Sequence, residues 1–260
     1  MDRQVHVEAV PPHAGIKGER LLASARDVDV NPAPRVGYAA EGHLPTQKLV
    51  ELDRCRSLID AEHLARVKAL VARISPIFVS DHLSWSAVDG AHLNDLLPLP
   101  YDEGALNVVA ANVSQVQDTL DRRILVENPS RYLAFNQSTM DEPEFLARLV
   151  ARTGCGILLD INNIHVSAAN LGFDAHDYLA RTPGAMIEEI HLAGFLASPD
   201  CPELLIDTHS RPVAEEVWSL YEKAVAMFGP RATLIEWDSE VPALPVLVGE
   251  MQRAQKVLGA

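Results

Sequence analysis

Six runs of Val, Ile and Leu in this chain close on acidic or imidazole side chains, and that pattern narrows the accessible folds more than any other feature. The runs are IFVSDHLSW with Asp81 and His82, ILVENPS with Glu127, GILLDINN with Asp160, IEEIHLAG with His191, LLIDTH with Asp207 and His209, and TLIEWD with Glu236 and Asp238. Parallel strands that feed helices aim their carboxyl ends at the face where α/β barrels build active sites, so a polar residue there is placed for chemistry. A single Asp at such a position is more often a helix N-cap or a turn residue. Six in succession are harder to explain that way, because caps favour Ser, Thr, Asp and Asn and have no use for His or Glu. Imidazoles mixed with carboxylates suit divalent first-row metals such as zinc, manganese or iron.

From about Ile59 onward, strand-like and helix-like patterns alternate, as expected for a parallel sheet with crossover helices. The spacing predicts helices over 60–73, 103–120, 141–152, 174–181, 212–228 and 241–257. Leu64, Val67, Leu70 and Val71 in the first, and Val213, Val217, Leu220 and Val225 in the fifth, recur at three-and-four spacing and read as faces that cover a core. A length of 260 residues with 48% hydrophobic content fits one (β/α)8 barrel. Residues 1–58 are different, with scattered Pro and Gly, mixed charge and only two weak strand candidates, 5–10 and 48–52. An eight-stranded barrel needs two strands before Ile77, since six follow it. The expected organisation is therefore a single domain, with a barrel over 59–260 and a divergent segment 1–58 that supplies the first two strands in incomplete or distorted form.

The formal net charge of -14 opposes binding to a polyanion, which excludes nucleic acid as the natural partner. Cys55, Cys155 and Cys201 are odd in number and lack C-x-x-C spacing, so neither a disulfide framework nor a thiolate metal site is indicated and a reducing, cytoplasmic compartment is expected. The amino-terminal MDRQVHVEAVPPHAGIKGER has no apolar core of signal-peptide length, and no stretch is long and uncharged enough to span a membrane.

Read in order, DHLSW, DLLPLPY, ENPSRY, LLDINNIHVSAANLGFD, IHLAGF, IDTHSRPV with VWSLYE, and LIEWD resemble the DUF692 family, also called UPF0276 or the multinuclear non-haem iron-dependent oxidases. The resemblance runs from about Ile59 to the C-terminus. It implies a xylose-isomerase-like TIM barrel that holds two or three iron ions, mixed Fe(II) and Fe(III), at the carboxyl ends of its strands. It further implies O2 as co-substrate, a Cys-containing, ribosomally made precursor peptide as substrate, and a small partner protein that presents this peptide. Carried onto this sequence, it makes His82 the imidazole of the third strand and Glu127 the bridging carboxylate of the fourth. Asp160, His191, the pair Asp207 and His209, and Glu236 complete the implied metal ligands, with Glu127, Asp160 and Asp207 also implied in catalysis. A subset of Glu127, Asp160, His191 and Glu236 is implied to hold the ion that activates O2.

Spacing supports this placement. Asp207 and His209 are two apart, so in an extended strand both side chains leave one face and can grip one ion. Asp160 and Asn162 share that spacing, which makes Asn162 a candidate amide-oxygen ligand or a supporting residue. Asn163 reads equally as a turn residue, and His165 as a ligand or a packed imidazole. Asp81 and Asp238 stand beside candidate ligands and are placed to orient imidazoles. Trp85, Trp218, Trp237 and Cys155 read as packing residues.

One departure from the family stands out. Relatives carry a second-strand His in an H-G-V-G-L-S type segment and a first strand ending E-x-H or E-N, where this chain reads VELDRCRSLID with neither His nor Gly. One metal site thereby lacks an imidazole, and His6, His13 and His43 are the substitutes the sequence offers. Two other classes compete with the oxidase: a hydrolase or isomerase using another divalent metal on the same scaffold, and a peptide-binding relative without catalysis. Metal identity separates the first, and O2 consumption the second.

Overall fold

The computed structural model describes residues 30–31, 59–88 and 91–259. The strand candidates 5–10 and 48–52, the histidines His6, His13 and His43, and Cys55 lie outside the described residues. In chain order the elements are β1 (Val30–Asn31), α1 (Ala61–Ile74), β2 (Ser80–His82), β3 (Trp85–Val88), β4 (Ala91–Leu97), α2 (Glu103–Leu120), β5 (Leu125–Glu127), β6 (Ala134–Phe135), α3 (Glu142–Thr153), β7 (Gly156–Asp160), α4 (Ile161–Leu171), α5 (Ala175–Arg181), β8 (Ile187–Leu192), β9 (Leu196–Ala197), β10 (Leu205–Ile206), α6 (Glu215–Phe228), β11 (Ala232–Ile235) and α7 (Leu244–Leu258). A short 3-10 turn at Gly184–Met186 leads into β8.

The central sheet is β2-β5-β7-β8-β11, all parallel. Spatial order follows sequence order, the single winding of an α/β barrel of the TIM type. Helices return the chain between successive strands, and their starts are written in the sequence. Asp60, Asp102, Asp141 and Asp174 each sit in extended backbone and accept N–H groups from the first turns of α1, α2, α3 and α5. Gly154 and Gly172, at φ 68° and 77°, end α3 and α4 in the left-handed conformation that glycine adopts without penalty. The core lies between the sheet and these helices. Ile157 and Leu159 of β7 cluster with Phe145, Leu146 and Leu149 of α3 and with Val217, Trp218 and Tyr221 of α6, all fully buried or nearly so.

Two expectations need correction. LLIDTH does not add a sixth parallel strand: Leu205–Ile206 pairs antiparallel with Leu196–Ala197 in a small hairpin after β8. Parallel pairing requires a crossover of a dozen or more residues, usually a helix, and the segment between β8 and β10 holds no helix. The second correction is α4, absent from the expected helices. Strand β7 runs straight into it with no loop, and Asp160 is both the last strand residue and the N-cap. Four of the six expected helices begin within a residue of their predicted starts, whereas α6 begins at Glu215 and α7 at Leu244, each three residues late. The chain before α6 lies too close to the loop after β8 to turn helical sooner. A Cβ on Gly194 would collide with the backbone oxygens of Arg211 and Pro212.

Replacing Phe145, which is 0% exposed, by Ala is expected to lower the free energy of unfolding by about 3–5 kcal/mol. The same change at Ile77, 50% exposed, should shift it by about 0.5 kcal/mol or less. Chemical denaturation of both variants checks this assignment of the core.

Candidate metal centre

The register of the sheet gathers the strand ends. His82 lies opposite Glu127, and Asp160 opposite His191. Glu236 directly follows Ile235, the partner of Leu192, and its N–H donates to the Leu192 carbonyl at 2.9 Å. Neighbouring strands stand about 4.8 Å apart, so side chains leaving adjacent ends at one level are in reach of a common ion. Ligand atoms of Glu127, Asp160, His191 and Glu236 all lie within 4.8 Å of one another. A second group, His209, Glu236 and Asp238, meets the same limit and shares Glu236 with the first.

Contacts link the two groups. His191 Nδ1 faces Glu236 Oε2 at 3.1 Å and Glu127 Oε1 at 4.0 Å. His209 Nδ1 lies 3.6 Å from Glu236 Oε1 and 3.0 Å from Asp238 Oδ2, and its Nε2 lies 2.7 Å from Asp207 Oδ1. His82, Asn162 and Asp207 border these groups without joining them. His82 Nε2 stands 3.4 Å from Glu127 Oε2, and Asn162 Nδ2 donates to Asp207 Oδ1 at 2.7 Å.

The strand argument for Asp207 and His209 fails although their proximity holds. His209 has φ 46°, so the segment turns instead of extending, and the two side chains meet by folding back on each other. Asp160 and Asn162 do not share an extended face either, because Asn162 is in the first turn of α4. Asp81 Oδ1 accepts the His82 backbone N–H at 2.9 Å and so steadies main chain, not an imidazole ring. Asp238 does face an imidazole, that of His209. His165 packs against Phe195 with ring centroids 5.0 Å apart, and Trp218 is enclosed in the core.

Two buried residues escaped the sequence reading. Asn128 spans β5 and β7: its Nδ2 donates to the Asp160 carbonyl and its Oδ1 accepts the Asp160 N–H, both at 2.9 Å. Its own carbonyl accepts from Asn163 Nδ2 at 3.0 Å, so Asn163 serves as a tie rather than a turn. Glu189 is buried within β8, with Oε1 3.8 Å from His191 Nε2. Its signal was available, since Glu189 and His191 are two apart on a strand and share a face.

Burial opposes protonation of His191, yet the carboxylates of Glu189 and Glu236 facing its two ring nitrogens, and the charge of Glu127, win and hold its pKa well above the ordinary value. His209 behaves likewise: burial pushes down, while Asp207, Asp238 and Glu236 pull its pKa well up. Burial would raise the Glu236 carboxyl, but its two imidazole partners hold it far below the usual range. Asp160 goes the other way, pushed up to about 7 by burial first and by the charge of Asp207 next. His82, half-buried and with weaker partners, is shifted down by its loss of solvent.

These donors fit a divalent cation on an independent observation. Asp160 Oδ1 caps α4 by accepting the Asn163 N–H at 2.6 Å, while buried Asp160 Oδ2 makes no hydrogen bond; buried Asn162 Oδ1 makes none either. Each such atom costs about 1–3 kcal/mol if left unsatisfied, and both are hard oxygen donors beside imidazoles.

The sequence pattern that defines the RiPP precursor modification enzymes MbnB/TglH/ChrH matches residues 55–259. The chain belongs to this family. Members of the family act on ribosomally synthesised precursor peptides. A UPF0276 protein of Vibrio parahaemolyticus is 56% identical over 197 residues, 75% of this chain and 68% of that protein. One from Vibrio vulnificus is 51% identical over 203 residues, 78% and 70% of the respective lengths, and one from Caulobacter vibrioides 49% over 235 residues, 90% and 81%. Among solved structures, the IOLI protein with a binding zinc atom superposes with a TM-score of 0.53 at 13% identity, covering 79% of this chain and 73% of that one. At that identity the likeness concerns the fold alone. No helix among the described residues is long and apolar enough to cross a membrane.

The shifts fix a sign for pH dependence in the metal-free protein. Between the ordinary Asp value of 3.8 and about 7, folded Asp160 keeps a proton that the unfolded chain has released, so stability falls as pH rises through this window. The raised His191 and His209 act in the same direction, their contribution being complete below 6.5 and lost as pH passes their folded values. Glu236 acts oppositely only below its ordinary 4.5, and His82, shifted down, acts oppositely below its ordinary 6.5, one group against the three raised ones. The melting temperature of metal-free protein should therefore decline from about pH 5 to about pH 8, and the rise caused by added Fe(II) or Mn(II) should grow over that interval as ligands deprotonate. Thermal melts with and without metal check both slopes.

Proposed function

We propose that this chain is an iron-dependent oxidase that uses O2 to modify cysteine residues of a ribosomally made precursor peptide. The observation that carries the reading is the convergence of Glu127, Asp160, His191 and Glu236 on one buried position, with His209 and Asp238 sharing Glu236 beside it, in a chain of a precursor-modifying family. Glu127, Asp160, His191 and Glu236 are the donors for one ion, and His209, Glu236 and Asp207 or Asp238 for a second. His82 beside Glu127 is the donor pair for a further one. Iron held there would supply electron transfer toward O2 and would lower the pKa of a cysteine thiol brought to it.

The chain's own residues set the geometry. Glu236 offers one carboxylate oxygen to each of two imidazoles, which suits it to bridge, and Glu127 stands between His82 and His191. Asp160 has a single oxygen to give, because Oδ1 is committed to α4 and Asn128 clamps its backbone on both sides. Asp207 is held by Asn162 and orients His209 from the Nε2 side. Glu127, Asp160 and His191 are almost wholly shielded from solvent, which strengthens their electrostatic hold on a cation and keeps water from competing for it. Presentation of the peptide by a small partner protein belongs to the same reading.

Protein purified without oxygen is expected to contain more than one iron per chain, and Glu127→Ala to lower that number sharply. Unchanged iron in this variant would remove Glu127 from the ligand set. On exposure to air with a Cys-bearing precursor peptide, mass spectrometry should find a mass change confined to cysteine. Zinc or manganese with hydrolysis or isomerisation would favour the other metal enzyme, and peptide binding without O2 consumption the non-catalytic relative.

A further inference from the structure

Glu189 sits in the middle of β8 at 4% exposure, among the buried Ile187, Ile190 and Leu192 of the same strand. A carboxylate enclosed at that depth is unfavourable unless a charged or N–H partner answers it. The partner the structure provides is His191. Glu189 Oε1 lies at ion-pair distance, 3.8 Å, from Nε2, while Nδ1 of the same ring faces Glu236 Oε2 at 3.1 Å and Glu127 Oε1 at 4.0 Å. The ring thus stands between two different neighbourhoods. One nitrogen looks at the four-residue donor group, and the other looks at a carboxylate outside it.

We infer that Glu189 is a positioning residue that holds His191 as its Nε2–H tautomer, so that Nδ1 presents a lone pair to the cation gathered by Glu127, Asp160 and Glu236. This rests on the metal-centre reading above. A neutral imidazole has one N–H and one acceptor nitrogen, and the partner of the first decides which nitrogen is left to ligate. Glu189 lies two residues nearer the start of β8 than His191, about 6.6 Å deeper along the strand, so it backs the ring from beneath the donor group. Its chemistry there is that of an acceptor: any group that receives the Nε2–H from that position fixes the same tautomer. The negative charge itself is secondary.

Three substitutions test this with Co(II) as the probe, titrated anaerobically into metal-free protein and followed by its visible absorption. Glu189→Gln keeps an acceptor oxygen and is expected to bind Co(II) within about threefold of the unaltered protein. Glu189→Met fills the space without an acceptor and should weaken one Co(II) site by about 10- to 100-fold. Glu189→Asp withdraws the acceptor by one methylene and should fall between them, which keeps the test open if the Met variant does not fold. Circular dichroism confirms the fold of each. Met or Asp variants that bind like the unaltered protein would overturn the inference, as would a Gln variant that loses as much as Met, since charge or direct ligation would then be the role. If the unaltered protein takes up no Co(II), the metal-centre reading itself fails, an outcome distinct from equal binding by all four proteins.

Discussion

Carboxylates crowded at the ends of adjacent parallel strands cannot all remain ionised in a buried space without positive charge among them, and much of this structure answers that constraint. Glu127, Asp160 and Glu236 come from different strand ends brought to one level by the sheet register. Without a cation, the neutralising charge comes from protons: His191 and His209 are driven toward the imidazolium form, and Asp160 is pushed toward its neutral acid. Protonated imidazoles and a bound divalent ion are alternative solutions to the same electrostatic problem. A fold that arranges the first so tightly is prepared for the second.

Preparation extends into the surrounding scaffold. Asn128 closes two hydrogen bonds on the backbone of Asp160, so this carboxylate cannot drift from the strand end, and α4 begins on its other oxygen. Asn170 of α4 reaches the Arg131 carbonyl and both backbone groups of Leu205, tying the loops after β5 and β8 to one helix. Gly194 permits the close backbone crossing that brings the 207–212 segment against the loop after β8, and His209 N–H donates to the Gly194 carbonyl at 3.0 Å. His209 reaches the group through this crossing although it belongs to no sheet strand. Its left-handed backbone is the local strain that the crossing sustains.

Much of this was legible in the residues. Alternating apolar runs and amphipathic segments predicted the barrel and six helices, because both periodicities are local and strong. The missed helix α4 follows from a local ambiguity: Asp160 can be read as a ligand or as a cap, and the structure uses one oxygen for capping and leaves the other. The misread strand at Leu205 has the opposite cause. Its apolar character is real, but whether it pairs parallel or antiparallel depends on what lies between it and β8, a property of the connection and not of the run. Asn128 was hidden for a third reason, since its partners are main-chain atoms 32 residues away and leave no pattern around it. Glu189 was visible in IEEIHL only through its two-residue spacing from His191.

The same topology says where a further donor strand would meet the site. Among the described residues β2 is an edge strand of the central sheet, with β5 on one side only. A strand preceding it in a singly wound barrel would lie along its other edge, so a side chain closing that strand would arrive next to His82. The four-residue group draws on β5, β7, β8 and the residue after β11, and the group sharing Glu236 draws on the 207–209 turn and the same strand end. Among the described residues, neither group includes a donor from β2 or from beyond it. A donor lost from that edge would bear first on His82 and Glu127, whose side chains stand 3.4 Å apart, and only through Glu127 on the group that includes Glu236.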